Sequence, residues 1–130
     1  MNDTQAAPSL SDRIHRVEAS SPIVAVHFLG RSPAFVLGEE ALLVVDADGG
    51  ELRRPVHAGA ILSSDGNGQA IVTGGDDGRV VVTDATMTSA AAATDDKRRW
   101  IDHVTFGPDG TLAWSAGKTA FVRNTRNEIR

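Results

Sequence analysis

Residues 71 to 84 read Ile-Val-Thr-Gly-Gly-Asp-Asp-Gly-Arg-Val-Val-Val-Thr-Asp, and this stretch constrains the fold more than any other. Two β-branched runs, Ile71 to Thr73 and Val80 to Val82, flank Gly74-Gly75-Asp76-Asp77-Gly78. β-branched side chains fit a pleated, half-buried surface. Gly and Asp tolerate the positive φ angles that a tight turn demands. The segment therefore predicts a β-hairpin, and its neighbours must supply strands to pair and cover it.

The rest of the chain repeats that chemistry. Before the hairpin, strands are predicted at Ile23 to Leu29, Ala34 to Leu37, Ala41 to Val45, Glu51 to Val56 and, weakly, Ala60 to Ser63. Between them lie turn clusters such as Gly30-Arg31-Ser32-Pro33, Asp48-Gly49-Gly50 and Asp65-Gly66-Asn67-Gly68. After the hairpin, Ala85 to Thr94 reads as an outer strand or loop, with a helical turn as the alternative because Ala is the best helix former. Ile101 to Phe106, Thr111 to Ser115 and Thr119 to Val122 follow as strands around Gly107-Pro108-Asp109-Gly110 and Gly117-Lys118. Asp46 and Asp84, each closing a third strand, stand 38 residues apart, and Asn124 follows Asp84 by 40. Four short strands per unit at this period predict an all-β chain of about three four-stranded antiparallel propeller blades. The units fall at about 22–57, 58–96 and 97–130, after a polar leader at 1–12 that reads as disordered.

Composition narrows the function classes. With 13 Lys and Arg against 17 Asp and Glu, the net charge is -4, so no overall basic field draws nucleic acid. No cysteine is present for a disulfide or a thiolate metal site. No stretch approaches the roughly 20 apolar residues of a membrane helix, and Met1 to Pro8 lacks the apolar region of a secretory signal. The expectation is a cytoplasmic protein that contacts neither nucleic acid nor membrane.

Val104-Thr105-Phe106-Gly107-Pro108-Asp109-Gly110 and Ile71 to Asp84 resemble two segments of WD-repeat (WD40) β-propellers, Val-x-Phe-Ser-Pro-Asp-Gly and Leu-Ala-x-Gly-Ser-x-Asp-Gly-x-Val-x-Leu-Trp-Asp. The resemblance covers about residues 14 to 124. Its repeats are degenerate: Val45, Thr83 and Arg123 stand where the family has Trp, and the Gly-His dipeptide is missing. Phe35 to Leu42 resembles a bacterial group of WD-repeat proteins with much longer chains. The resemblance implies a structural network in which His57, Thr73 and Asp77 hydrogen-bond to brace a blade. It also implies that Ile14 to Glu18 acts as a ring-closing outer strand, in this chain or a neighbouring one. Three blades fall short of the four to eight of known propellers. A longer parent chain, an oligomer that completes the ring, or a different compact β fold would each account for this.

Candidate sites are few. Asp76-Asp77 lacks the ligand spacing of a Ca²⁺ loop, and the glycine-rich turn lacks the Lys-Ser/Thr of a phosphate loop. His15, His27, His57 and His103 show no metal spacing, and nothing places Ser115, Asp102 and His103 as a triad. No cofactor, metal or catalytic group is therefore expected. Lys97-Arg98-Arg99-Trp100 is the candidate interaction surface, because Arg and Trp are enriched at interface hot spots. Arg98, Arg99 and Trp100 are the candidate protein-binding residues, against the plainer reading of a solvated charge run with Trp100 packed on the core. The expected function is a non-enzymatic propeller scaffold holding a protein partner. The alternatives are the N-terminal part of a propeller enzyme completed elsewhere and a structural oligomeric β module.

Overall fold

The computed structural model describes residues 14–124, arranged as three antiparallel sheets in sequence order. The first holds β1 (Ile23–Leu29), β2 (Ser32–Leu37), β3 (Ala41–Val45) and β4 (Glu51–Pro55). The second holds β5 (Ile61–Gly66), β6 (Ala70–Gly75), β7 (Arg79–Asp84) and β8 (Ser89–Thr94). The third holds β9 (Ile101–Phe106), β10 (Leu112–Ala116) and β11 (Thr119–Arg123), with no fourth strand among the described residues. Each sheet is a meander in which neighbours in sequence pair, and β5 is flanked by β1 and β9 of the adjoining sheets. Among the described residues the three sheets form an arc of blades that does not close into a ring. The leader at 1–12 lies outside the described residues.

The two Asp residues that mark the period do the same physical work. Asp46 Oδ1 accepts the N–H groups of Asp48 (3.0 Å) and Gly50 (2.8 Å), closing the turn from β3 to β4. Asp84 Oδ1 accepts the N–H groups of Thr86 (2.9 Å) and Thr88 (3.1 Å) and the Thr86 hydroxyl (2.6 Å), closing the turn from β7 to β8. Asp side chains are suited to this because they hydrogen-bond their own backbone two residues on.

Two apolar layers join the blades. Ala34, Val36, Leu42 and Val44 of the first blade pack with Ile61, Ile71 and Val81 of the second. Val72 and Val80 of the second pack with Ile101, Leu112 and Ala116 of the third. Trp114 stacks on Phe121 at the margin of that second layer, with ring centroids 5.5 Å apart. The Ala-rich segment is strand from Ser89 onward and not the helical alternative. Pairing with β7 outweighs the helix preference of Ala.

Two sequence expectations shift. The turn placed at Asp65 to Gly68 begins later, because β5 runs through Gly66. Asp65 Oδ2 accepts the Phe106 N–H (2.8 Å) of the third blade, and the Asn67 side chain accepts the N–H groups of Gln69 and Ala70 (2.8 Å each), making the turn itself. Ile14 to Glu18 pairs with no strand among the described residues. It lies across the first blade, where Val17 and Ala19 pack on Leu37, Ala41 and Leu43 and the Arg53 guanidinium donates to the Ala19 carbonyl.

Candidate functional site

The functional candidates collect at one rim, formed by the turn from β6 to β7, the turn from β10 to β11, and the loops that enter β5 and β9. His57 leaves the end of β4 and points back over the inner hairpin of the second blade. Its Nδ1–H donates to the Asp77 carboxylate (3.0 Å to Oδ1, 3.2 Å to Oδ2), since a carboxylate can only accept. Its Nε2 meets the Thr73 hydroxyl at 2.8 Å, and that hydroxyl also faces the Val81 carbonyl at 3.4 Å. The structure thus brings His57, Thr73 and Asp77 into one hydrogen-bonded chain. The His57 side chain is wholly buried and Asp77 is nearly so. Gly75 is what makes room: a Cβ there would overlap both the His57 ring and the Asp77 carboxylate.

Asp77 is also bonded to backbone. It accepts the Ala58 N–H (3.0 Å) and the Arg79 N–H (3.1 Å), so it ties the entering loop to its own turn. Burial pushes its carboxyl up, but the Ala58 N–H, the His57 ring and the Arg79 N–H together outweigh that and hold it below the ordinary value. Satisfied in this way, the trio is a structural brace. Buried polar groups require such partners.

The loop entering β9 is built differently. Asp95 accepts two bonds from one edge of the Arg99 guanidinium, Nη2–H at 2.9 Å and Nε–H at 3.0 Å, in a fork of the kind that makes Arg–carboxylate pairs strong. The Asp95 carboxylate also accepts the Lys97 and Arg99 N–H groups (3.1 and 2.9 Å). These bonds, the Arg99 side chain foremost, hold its carboxyl down to about 2. Arg99 reaches on to the Thr119 hydroxyl (3.2 Å) beside Gly117. Arg99 is therefore engaged inside its own blade, and the structure separates it from the two residues it was grouped with. Arg98 sits at φ 54, exposed, with its backbone pressed against Gly78, where a Cβ would come within 2.6 Å of the Arg98 Cα. Trp100 is 60% exposed and not packed on the core. Asp95 carries no signal in the sequence beyond its place in a charged run.

Among the described residues no group of three or more His, Cys, Asp or Glu is arranged to hold a metal ion. No described helix is long and apolar enough to cross a membrane.

No protein-family profile matches the sequence, and no curated protein matches it. A solved structure does match: selenomethionine-substituted virginiamycin B lyase from Staphylococcus aureus superposes with a TM-score of 0.67 over 87% of this chain, at 11% identity. That protein is a seven-bladed β-propeller, and the chain spans 41% of it, close to the share of three blades in seven. At this identity the likeness establishes the fold alone. The chain is an all-β arc of β-propeller blades.

Proposed function

We propose that this chain is a degenerate WD-repeat propeller scaffold of the cytoplasm, non-enzymatic itself, that holds a protein partner at the rim carrying Arg98 and Trp100. The observation that carries this reading is Trp100, a large aromatic left 60% exposed on a loop whose backbone is fixed from within. Four hydrogen bonds to Asp95, from two backbone N–H groups and the Arg99 side chain, set the course of residues 95–99. A preformed loop loses little conformational entropy on binding. The exposed side chains of Lys97 and Arg98 add positive charge to the same loop. A partner surface with carboxylates around an apolar seat has the matching chemistry. The hydrogen-bonded His57, Thr73 and Asp77 support the WD-repeat reading, since they occupy the positions that the family resemblance implies.

The test is the double variant Arg98→Ala, Trp100→Ala. Circular dichroism and melting temperature should match the wild type, while capture of protein partners from cell extract falls at least tenfold. An unfolded variant, or unchanged capture, contradicts the reading. Arg99 is kept, because its loss would disturb the loop itself.

A further inference from the structure

Between the first and second blades lies a hollow of about 340 Å³, walled by β4 on one side and by β7 and β8 on the other. Strand alternation decides what faces it. Arg54 pairs with Leu42, which belongs to the apolar layer joining these two blades. Paired residues share a face of the sheet, so Arg54 is turned to the second blade. Arg79 stands two residues before Val81, another member of that layer, and therefore on the same face of β7. The two arginines thus line one hollow from opposite walls. Among the described residues, no Asp or Glu lines it.

Other arginines beside the blades are answered by an acceptor. Arg53, on the opposite face of β4, donates to the Ala19 carbonyl. Arg99 is bonded to Asp95. The corresponding hollow between the second and third blades, about 330 Å³, lies between the end of β8 and β11. Asp95, Asp96 and Arg99 line it, so there the carboxylates outnumber the cation. The side chains of Arg54 and Arg79 have neither a hydrogen bond nor an ion pair with any described residue. Arg79 gives only its backbone N–H, to Asp77. Like charges on facing walls repel, and an anion between them turns that cost into attraction.

We propose that this hollow binds a phosphate group, held by Arg54 from the first blade and Arg79 from the second. The two guanidiniums bring two positive charges, and a phosphate monoester carries about -1.5 to -2 at neutral pH. A guanidinium also offers its N–H groups in a planar fork that matches phosphate oxygens two at a time. Pro55 and Ala91 add apolar wall beside the charges. The free ion and a phosphate ester share the chemistry that the arginines recognise, and only the ester has an organic part to lay on that wall. The site is separate from the rim that carries Arg98 and Trp100, and it does not depend on the partner proposed there.

Isothermal titration calorimetry of the full 130-residue chain tests it, with inorganic phosphate, phenyl phosphate and acetate as probes at low salt. Both phosphates should bind, and acetate, with a single charge, should bind about tenfold more weakly or worse. Tighter binding of phenyl phosphate identifies an ester as the source, equal affinities identify the free ion, and either supports the site. Arg54→Met and Arg79→Met keep an unbranched apolar stem and remove the charge. Each should weaken phosphate binding about tenfold or more. Their circular dichroism should match the wild type, because neither guanidinium is bonded in the fold. Arg31→Met, at an exposed turn between β1 and β2, should bind as the wild type does. Where a variant fails to fold, the wild type itself decides: on adding inorganic phosphate, the Nε–Hε resonances of Arg54 and Arg79 should shift and that of Arg31 should not. A wild type that binds neither phosphate, acetate that binds as tightly, binding that survives loss of both arginines, or equal shifts at Arg31 would each overturn the proposal.

Discussion

The second and third blades solve one problem with different chemistry. Each must fasten the loop entering its first strand to the hairpin formed by its second and third. In the second blade the turn Asp76-Asp77-Gly78 contains an acceptor, and His57 reaches down to it from the loop. In the third the turn is only Gly117-Lys118 and contains no carboxylate, so the acceptor moves into the loop as Asp95, and Arg99 bridges from there to Thr119. The first brace is buried and leaves little on the surface. The second is partly open, with Arg99 33% exposed, and it stiffens the loop that displays Arg98 and Trp100. A blade fastened through its turn keeps its rim quiet, whereas a blade fastened through its loop presents the loop.

The largest effect should come from breaking the buried brace. Asp77→Ala strands His57, the Ala58 N–H and the Arg79 N–H at once. Of these only His57 is fully buried, and an unsatisfied buried group costs about 1–3 kcal/mol, so urea unfolding should show a loss of about 1–3 kcal/mol. An unchanged midpoint would mean the carboxylate is only a solvated turn residue. Asp95→Ala should lower the melting temperature less. Part of its ion pair faces solvent and is screened, so raising salt should narrow the gap between wild type and Asp95→Ala but not that between wild type and Asp77→Ala. Equal salt responses would remove the distinction between the braces.

Acid sharpens the contrast further. Both carboxyls are depressed in the folded state, so both contributions are complete above the ordinary value near 3.8 and fade as pH falls through the folded value. For Asp95 that loss lies between about 3.8 and about 2. The difference in midpoint between wild type and Asp95→Asn should be flat above pH about 5 and shrink across that window. A difference that grew on acidification would reverse the sign and reject the ion pair. The smallest effect belongs to Trp100→Ala, which should change stability by less than about 0.5 kcal/mol, as exposed sites do. A larger loss in urea unfolding would place the indole in the core.

The sequence carried the second blade's brace more plainly than the third's. Val72, Thr73 and Val80 to Val82 announce strands by their branching, and Asp-Asp-Gly announces the turn, so the resemblance could place Thr73 and Asp77, and with less certainty His57. The period was legible because Asp46 and Asp84 repeat a side-chain-to-backbone bond that only a few residue types can make. Asp95 and Arg99 were not legible as a pair: a four-residue spacing in an irregular loop has no pattern to distinguish it from solvated charge. Trp100 could be read from the sequence either as an interface aromatic or as packed on the core, because an indole in a charged run has no local pattern that decides, and here the loop geometry turns it outward. The course of Ile14 to Ala19 was hidden for a related reason. The resemblance implies a ring-closing strand there, but the Arg53 contact and the apolar cover at Leu37 and Leu43 depend on residues distant in sequence.

Amide hydrogen exchange on the wild type, Asp77→Ala and Asp95→Ala tests the independence of the two braces most directly. Protection should fall at Ala58 and Arg79 in the first variant, and at Lys97 and Arg99 in the second, because those N–H groups donate to the deleted carboxylates. Each variant should leave the other pair unchanged. Loss of both pairs together in either variant, or of neither in both, would contradict the existence of two separate braces.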